Sequence, residues 1–334
     1  MVHLVTQTRI PVPSASFKAE QGIFEPTCVS LFPKPGGRRD RIDAPRIIRY
    51  PYRIVKNELG SLLVKADRLN FFNLDEHNLP QYVEEIAAGP NFWCFHHIPK
   101  TAGSSLGAEM STRLAPYHNI LPVYSETAVR HDEQMALAMD AFLGRYRNGE
   151  TFNSASGHLF RRHVDEIAST IQNFRCFTFF RHPEARVISE YFYSCSERHP
   201  PHKEFKERFP TLLDFVNSPS EKNKMCQYLF SHGEMPESDE DLKEFLGSRY
   251  EHIGLQERYP VSYVFLSALW GAPGLPKQQT NVAESKPEID AETRTQIRAN
   301  NKNDERLFQL VADVYDRISP AIWSTYKVGS PAES

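Results

Sequence analysis

The sequence predicts an α/β protein with a central parallel sheet flanked by helices and an N-terminal extension. Two apolar runs, FWCF at residues 92–95 and FRCFTFF at 174–180, are typical of strands buried on both faces of a parallel sheet. Each run is followed by a polar turn and then by a segment with helical character. This repeated strand–turn–helix order is what predicts the fold class.

The chain is predicted to divide at residue 88. Residues 1–88 form a proline-rich, basic extension, because the seven prolines between residues 11 and 51 argue against long helices. Residues 89–330 form the main domain. The extension concentrates eight basic residues, which are either a solvated surface or a positive rim beside an anionic ligand site: Lys34, Arg38, Arg39, Arg41, Arg46, Arg49, Arg53 and Lys56.

Hydrophobic periodicity predicts the other elements in chain order. Residues 49–55 are an edge-strand candidate, and residues 75–88 are a helix. After the first apolar run, helices are expected at 104–114, 133–147, 164–171 and 184–193. A short strand is expected at 119–124, and residues 152–160 are either strand or loop.

Composition narrows the class of protein. A net charge of −3 gives no reason to expect a nucleic-acid partner. The five cysteines form no CxxC pair, so no metal or redox site is expected. An odd cysteine count, no apolar leader and no apolar stretch of about 20 residues predict a cytoplasmic protein without a membrane span.

Residues 99–105, PKTAGSS, are the first predicted anion site. A strand, a polar turn and a helix start present backbone N–H groups and a helix N-terminus to a phosphate or sulfate. Lys100 adds a cation, and the hydroxyl residues add donors. The turn does not match the nucleotide-binding GxxxxGK[ST] pattern, because the lysine precedes Gly103.

A second anion site is predicted where the run 174–180 ends. Arg181 follows the strand, Pro183 suits the first turn of a helix, and Ser189 lies farther along that helix. Taken alone, Arg181 could equally be a residue of a structural ion pair, and Ser189 could equally be a helix residue without a functional role. Because ligands bind at the carboxyl ends of parallel strands, Lys100 and Arg181 together are expected to hold two anionic groups of one ligand.

Both sites resemble one known family, the sulfotransferases that use 3′-phosphoadenosine 5′-phosphosulfate (PAPS). HIPKTAGSSL at 97–106 resembles their 5′-phosphosulfate loop, and FTFFRHPEARVISEYFY at 177–193 resembles their 3′-phosphate strand and helix. The similarity is closest to the carbohydrate branch, which contains the uronyl 2-O-sulfotransferases and related bacterial proteins, and it covers residues 92–318. The RxPxxRxxSxYxY pattern is matched at Arg181, Pro183, Arg186, Ser189, Tyr191 and Tyr193.

The resemblance implies a P-loop-like sulfotransferase fold, PAPS as the sulfuryl donor and no metal. It implies that Lys100 contacts the leaving phosphate oxygen and that Arg181 and Ser189 hold the 3′-phosphate. Lys286 would contact a phosphate from a late loop. The rest of the first loop would hold the 5′-phosphate: Thr101, Ala102, Gly103, Ser104 and Ser105.

The same resemblance implies a histidine base. SGH at 156–158 is similar to the His-Gly-His stretch of the uronyl branch, with Ser156 at the first position and His158 at the second. A histidine can accept the proton of an acceptor hydroxyl near neutral pH. His96, His97 and His182 stay open as alternatives. The acceptor is expected to be a hydroxylated compound, with a glycan as one candidate.

Two other functions fit the sequence less well. A small-molecule kinase would need a lysine followed by Ser or Thr after the glycine, and a magnesium-binding aspartate after a strand; neither is found. A binding protein that had lost turnover would be expected to lack Lys100 or the base, and both are present.

Overall fold

The computed structural model describes residues 69–123, 131–199, 201–230, 235–277 and 288–326. These ranges lie within one compact unit, Leu63–Ser334. Most of the predicted extension, the edge-strand candidate at 49–55 and Lys286 lie outside the described residues.

The described residues contain a five-stranded parallel sheet, which confirms the predicted α/β class. Its strand order is β2-β3-β1-β4-β5, with every neighbouring pair parallel. The strands are β1 Phe92–His96, β2 Tyr117–Ile120, β3 Ser154–Gly157, β4 Phe174–Phe180 and β5 His252–Leu255.

Helices fill the connections between the strands and follow the last one. α1 Leu79–Ala87 precedes β1. Each of the first four strands is followed directly by a helix, in the order α2 Gly103–Arg113, α3 His131–Arg147, α4 Arg161–Thr170 and α5 Pro183–Ser194. Four more precede β5: α6 His202–Arg208, α7 Leu212–Asn217, α8 Lys224–Leu229 and α9 Asp239–Gly247. The last three are α10 Tyr259–Leu269, α11 Ala291–Asn300 and α12 Lys302–Tyr326, and short 3-10 turns occur at Phe71–Asn73, Pro219–Glu221 and Gln256–Arg258.

The central strand β1 is buried along its whole length. It pairs with β3 on one side and β4 on the other, so none of its backbone edge is left to solvent. On β4 the last five residues are buried as well. A strand covered on both faces must be apolar throughout, which explains why these two strands were readable as continuous apolar runs.

On the side of β1 away from β4, β2 differs from its prediction, whereas β3 lies within residues 152–160, which were expected to be either strand or loop. β2 begins at Tyr117 and ends at Ile120, whereas residues 119–124 were expected. Pro122 lacks a backbone N–H and disfavours continuation of a ladder, so the strand stops before it. β3 is a strand of four small, buried residues, SASG, and its pairing with both β1 and β2 fixes it.

One large hydrophobic cluster fills the space between the sheet and its helices. It includes residues that precede position 89, the predicted start of the main domain: Phe71, Leu74, Leu79, Tyr82, Val83 and Ile86. A smaller cluster joins α5, α7 and α11 through Val187, Tyr191, Phe215 and Ile297, among others. This smaller cluster holds α5, which carries the second predicted anion site.

None of the helices in the described ranges has both the length and the apolar composition that a membrane span needs.

Candidate functional site

Three predicted site segments lie side by side at one edge of the sheet. β3, β1 and β4 are neighbours and run parallel. His158 follows the last residue of β3, the loop with Lys100 follows β1, and Arg181 follows β4. Because the carboxyl ends of parallel strands share one edge, these segments form a row with the Lys100 loop in the middle.

Two residues in left-handed backbone conformation shape the loop between β1 and α2. Lys100 has a φ of 69° and Ala102 a φ of 72°. Such conformations cost non-glycine residues roughly 1–3 kcal/mol and concentrate at functional sites. Between them, Thr101 is buried, and its hydroxyl donates to the carbonyl oxygen of Ile98 at 2.8 Å. The Thr101 hydroxyl therefore stabilises the loop itself.

The start of α2 packs directly against a histidine ring. A Cβ added at Gly103 would lie 1.8 Å from Nε2 of His97, so only glycine allows this approach. Ser104 is exposed, whereas Ser105 is buried beside Tyr259. Of the hydroxyls predicted to hold a phosphate, that of Ser104 is the one on the open side of the helix start.

The Lys100 side chain lies over an aromatic ring of α5. Its Nζ is 3.8 Å from the centroid of the Tyr193 ring. The backbone carbonyl oxygen of Lys100 accepts a long hydrogen bond of 3.4 Å from Nη1 of Arg181. The two predicted anion sites are therefore in contact with each other.

Arg181 occupies the junction between β4 and α5. Burial lowers the pKa of its guanidinium; the neighbouring Glu257 opposes this shift, and the like charge of Arg186 adds to it. Glu257 also accepts a hydrogen bond from the backbone N–H of His182 at 3.0 Å, which fixes the turn into the helix. Ser189 lies about two turns into α5 on the same helix. A guanidinium held in this way is suited to an anionic ligand.

The geometry around His158 fixes which ring nitrogen carries the proton. Its Nδ1 is 3.0 Å from the carbonyl oxygen of His97, and a carbonyl oxygen only accepts hydrogen bonds. The neutral ring therefore carries its proton on Nδ1 and its lone pair on Nε2. The rings of His97 and His158 lie 4.2 Å apart between centroids. Desolvation and the neighbouring charges of His158, His96 and Lys100 lower the pKa of His97 well below 6.5.

The rings of the other two candidate histidines have other partners. His96 is fully buried, with Nε2 bonded to the carbonyl oxygen of Leu159 at 2.7 Å and Nδ1 to the hydroxyl of Tyr250 at 2.8 Å. Burial lowers the pKa of His96 to about 3. His182 instead pairs with Glu305 at 3.6 Å. It lines a separate cavity of about 410 Å³ between the start of α5 and the junction of α11 and α12.

Four charged side chains form a largely buried cluster around α5 and α8. Arg186 is fully buried, with Nη1 3.4 Å from Glu190 and Nη2 3.7 Å from Glu221. Lys224 lies 2.7 Å from Glu221 and 3.8 Å from Glu190. Although burial alone would raise it, the charges of Lys224, Arg186, Lys100 and His158 lower the pKa of Glu190. Glu190 is thus an anion near both Lys100 and His158.

A cavity of about 390 Å³ opens beside His158. Small residues on one face of α2 form one wall, and the ends of β2 and β3 form the other. Leu121, which is 60% exposed, lies at the rim. The lining residues are His97, Gly103, Ser104, Gly107, Ala108, Ser111, Tyr117, Asn119, Leu121, Ser156, Gly157 and His158.

Three polar side chains of this cavity are joined by hydrogen bonds. The Tyr117 hydroxyl lies 2.5 Å from Oγ of Ser156, and Oγ of Ser156 lies 3.2 Å from Oδ1 of Asn119. The pairing of β2 with β3 brings them together, since Asn119 is opposite Ser156 in the register. Tyr117 and Asn119 are not predicted as site residues from the sequence, because the register between β2 and β3 is known only from the sheet.

Glu190 is likewise not predicted as a site residue from the sequence. Its only signal in the sequence is its place in the α5 motif between Ser189 and Tyr191, a position that the family pattern leaves unspecified. The two arginines that follow His158 closely in the sequence have other partners: Arg161 pairs with Asp165, and Arg162 donates to His163. Among the residues that the structure describes, no group of three or more His, Cys, Asp or Glu side chains is arranged to hold a metal ion.

Comparison with known proteins gives one family. The family model described as "Sulfotransferase family" matches residues 88–316. A sulfotransferase from Alicyclobacillus acidocaldarius is similar at 14% sequence identity over 73% of this chain and 98% of that chain, with a TM-score of 0.37. Mouse sulfotransferase SULT7A1, solved in complex with PAP, is similar at 13% identity over 68% of this chain and 71% of that chain, with a TM-score of 0.28. No curated protein matches the chain significantly.

Proposed function

The chain belongs to the sulfotransferase family, and on that premise we propose that it transfers the sulfuryl group of PAPS to a hydroxyl of an acceptor. The acceptor is a carbohydrate or another small hydroxylated compound. The single observation that carries the proposal is the row of His158, the Lys100 loop and Arg181 at three adjacent strand ends. This row supplies a base, a cation and a second anion-binding group in one crevice.

The donor side of the row fits a ligand with two separated phosphates. The loop after β1 leads into the N-terminus of α2, which favours an anion through its backbone N–H groups and helix dipole. Ser104 and the backbone of Thr101, Ala102, Gly103 and Ser105 would hold the 5′-phosphate. Arg181 and Ser189 would hold the 3′-phosphate, and Lys286 would add a contact.

Lys100 would supply the positive charge that the reaction needs. PAPS, when bound, supplies an activated sulfuryl group whose departure leaves negative charge on a phosphate oxygen. A preorganised cation beside developing charge is a large source of rate enhancement. The ammonium of Lys100 lies over the Tyr193 ring and near Glu190. Glu190, whose pKa is lowered in part by Lys100, places a negative charge near this ammonium.

His158 would act as the general base. Because Nδ1 is held by the carbonyl oxygen of His97, the lone pair on Nε2 is the one that can receive a proton from the acceptor hydroxyl. In-line transfer requires the acceptor oxygen and the leaving oxygen on opposite sides of the sulfur, as in phosphoryl transfer. His158 and Lys100 stand at neighbouring strand ends, which suits this division of roles.

The cellular setting that we propose is the cytoplasm. Cys94, Cys176, Cys195 and Cys226 are all free thiols, and three of them are buried. Reduced cysteines are typical of proteins from reducing compartments.

The experiment that tests this function needs no knowledge of the acceptor. In a calorimetric titration, the protein is expected to bind adenosine 3′,5′-bisphosphate (PAP) with a Kd in the low micromolar range or tighter, about 8 kcal/mol. ATP, which carries a run of three phosphates and no 3′-phosphate, is the control and should bind far more weakly. Binding of ATP without binding of PAP would refute the proposal.

A further inference from the structure

The cavity beside His158 shows what kind of molecule fits opposite the Lys100 loop. We propose that this cavity is the acceptor site and that it takes a neutral, polyhydroxylated molecule of mono- or disaccharide size rather than an acidic glycan. The inference rests on the proposed function, because it assigns the acceptor of the same reaction.

Its position fits an acceptor. The cavity is lined by His158 on one side and by Gly103 and Ser104 of the helix start on the other. A molecule inside it would therefore lie between the proposed base and the loop that would hold the donor. Its volume of about 390 Å³ is within the range of about 300–1,000 Å³ that is usual for small-molecule pockets.

Small side chains create the space. Gly107, Ala108 and Ser111 lie on the face of α2 that forms the cavity wall. A Cβ added at Gly107 would come within 3.3 Å of the Tyr117 hydroxyl, so a larger residue there would displace that group. The wall thus leaves room for a ligand and brings a hydroxyl group to its edge.

The hydrogen bonds across the cavity have a definite direction. Oδ1 of Asn119 only accepts, so Ser156 donates to it, and Tyr117 must donate to Ser156. This order leaves the amide N–H groups of Asn119 to donate into the cavity and the lone pairs of the Tyr117 oxygen to accept. Donors and acceptors that alternate over a short distance match neighbouring hydroxyls, which both donate and accept. Sites built in this way discriminate strongly against ligands that lack those hydroxyls.

The charge of the lining favours a neutral ligand. Among the described residues that line the cavity, none is Asp, Glu, Lys or Arg. Arg161, the nearest arginine in sequence after His158, bonds to Asp165 and lies 5.4 Å from the centroid of the Phe245 ring instead. The N-terminus of α2 at Gly103 and Ser104, which favours an anion, is assigned above to the 5′-phosphate of the donor. A carboxylate on the acceptor would therefore find no lysine or arginine partner among these lining residues, and an unpaired charge is costly to desolvate.

The test compares two acceptors that differ in one group. Wild-type protein is given labelled PAPS with methyl glucoside or with methyl glucuronide, and PAP binding is measured in parallel. The kcat/KM for the glucoside is expected to exceed that for the glucuronide by at least about tenfold. Transfer to the glucuronide at an equal or higher rate, or transfer to neither by protein that binds PAP, overturns this inference alone. Protein that fails to bind PAP overturns the proposed function with it.

Variants test the cavity itself. Ala108→Leu fills the cavity and is expected to abolish transfer to the glucoside while PAP affinity is unchanged, which shows that the variant is folded. Tyr117→Phe and Asn119→Ala are each expected to raise the KM for the glucoside about tenfold. Thr112→Leu, on the exposed face of the same helix, is the matched control and should behave as wild type. Full activity of Ala108→Leu would contradict the assignment.

Discussion

Lys100 and Tyr193 are in contact across the crevice, with the ammonium nitrogen 3.8 Å from the centroid of the aromatic ring. The contact joins the loop after β1 to the helix after β4, which are the two halves of the proposed donor site. Cation–π contacts at exposed positions contribute about 0.5–1 kcal/mol. Tyr193 is 40% exposed, so this contact restricts the lysine without locking it.

Replacement of Tyr193 is therefore expected to affect turnover more than binding. Tyr193→Leu removes the ring that restrains the ammonium and should lower kcat by up to about fivefold, with PAP affinity unchanged. Tyr193→Phe keeps the ring and should retain wild-type kcat. Equal losses in the two variants would show that the hydroxyl, and not the ring, is what matters.

Replacement of His158, the proposed base, is expected to lower turnover without weakening PAP binding. In His158→Asn the side-chain amide can still donate to the carbonyl oxygen of His97 but cannot accept a proton. Turnover should fall by about 10²–10⁴-fold, as is usual for loss of a general base. PAP affinity, measured by calorimetry, should stay within twofold of wild type by the same reasoning. A variant with full activity would mean that another group accepts the proton.

The 3′-phosphate contact can be tested from both partners. Arg181→Ala should weaken PAP binding by at least about tenfold, because a charge-assisted contact to phosphate is lost. The same substitution should barely change binding of 5′-AMP, which lacks the 3′-phosphate. Titrating PAP and 5′-AMP into wild type and Arg181→Ala gives a thermodynamic cycle, from which the contribution of this one contact is obtained. If Arg181→Ala weakened both ligands equally, Arg181 would serve the loop and not the 3′-phosphate.

The burial of His252 predicts how the stability of the fold depends on pH. Its ring is fully buried among aromatic side chains, and within the described residues its Nδ1 has no hydrogen-bond partner. Burial lowers its pKa to about 3. Between pH 6.5 and pH 3 the unfolded chain therefore binds a proton that the folded chain does not. The contribution of His252 to stability is present above pH 6.5 and is lost as the pH falls toward 3.

The matching variant is His252→Phe, which removes the titrating group from an aromatic environment. From pH 7 to pH 5 the free energy of unfolding of the wild type should fall by about 2 kcal/mol more than that of the variant. Urea denaturation at the two pH values measures the difference. His77→Phe is the control, because the side chain of His77 is 85% exposed. Identical pH dependence in wild type and His252→Phe would contradict the account.

Strands whose signal lies in their own residues could be predicted from the sequence. β4 spans the predicted residues, and α5 begins at Pro183, close to the expected helix start. The apolar run of β4 indicates a strand that is buried on both faces, and Pro183 indicates the first turn of a helix. β3 could not be assigned, because SASG has little strand preference of its own and is held by its two neighbours.

The same distinction applies to the site. The positions of Lys100 and Arg181 at neighbouring strand ends were predictable, since Lys100 lies in the turn after β1 and Arg181 directly follows β4. Tyr117 and Asn119 were not, because their role depends on the register between β2 and β3. Glu190 was missed for a similar reason: its charge matters through Lys100 and Lys224, which are distant in the sequence. Contacts between residues that the strand order brings together cannot be predicted from local sequence patterns.

Transfer of the sulfuryl group is the measurement that tests the central claim most directly. Labelled PAPS is incubated with a panel of neutral sugars, phenols and uronides, using wild type, His158→Asn and Lys100→Ala. The account predicts a labelled product with the wild type, and a loss of about 10²–10³-fold or more in each variant. A labelled product formed equally well by Lys100→Ala, or no product with any acceptor from protein that binds PAP, would contradict it.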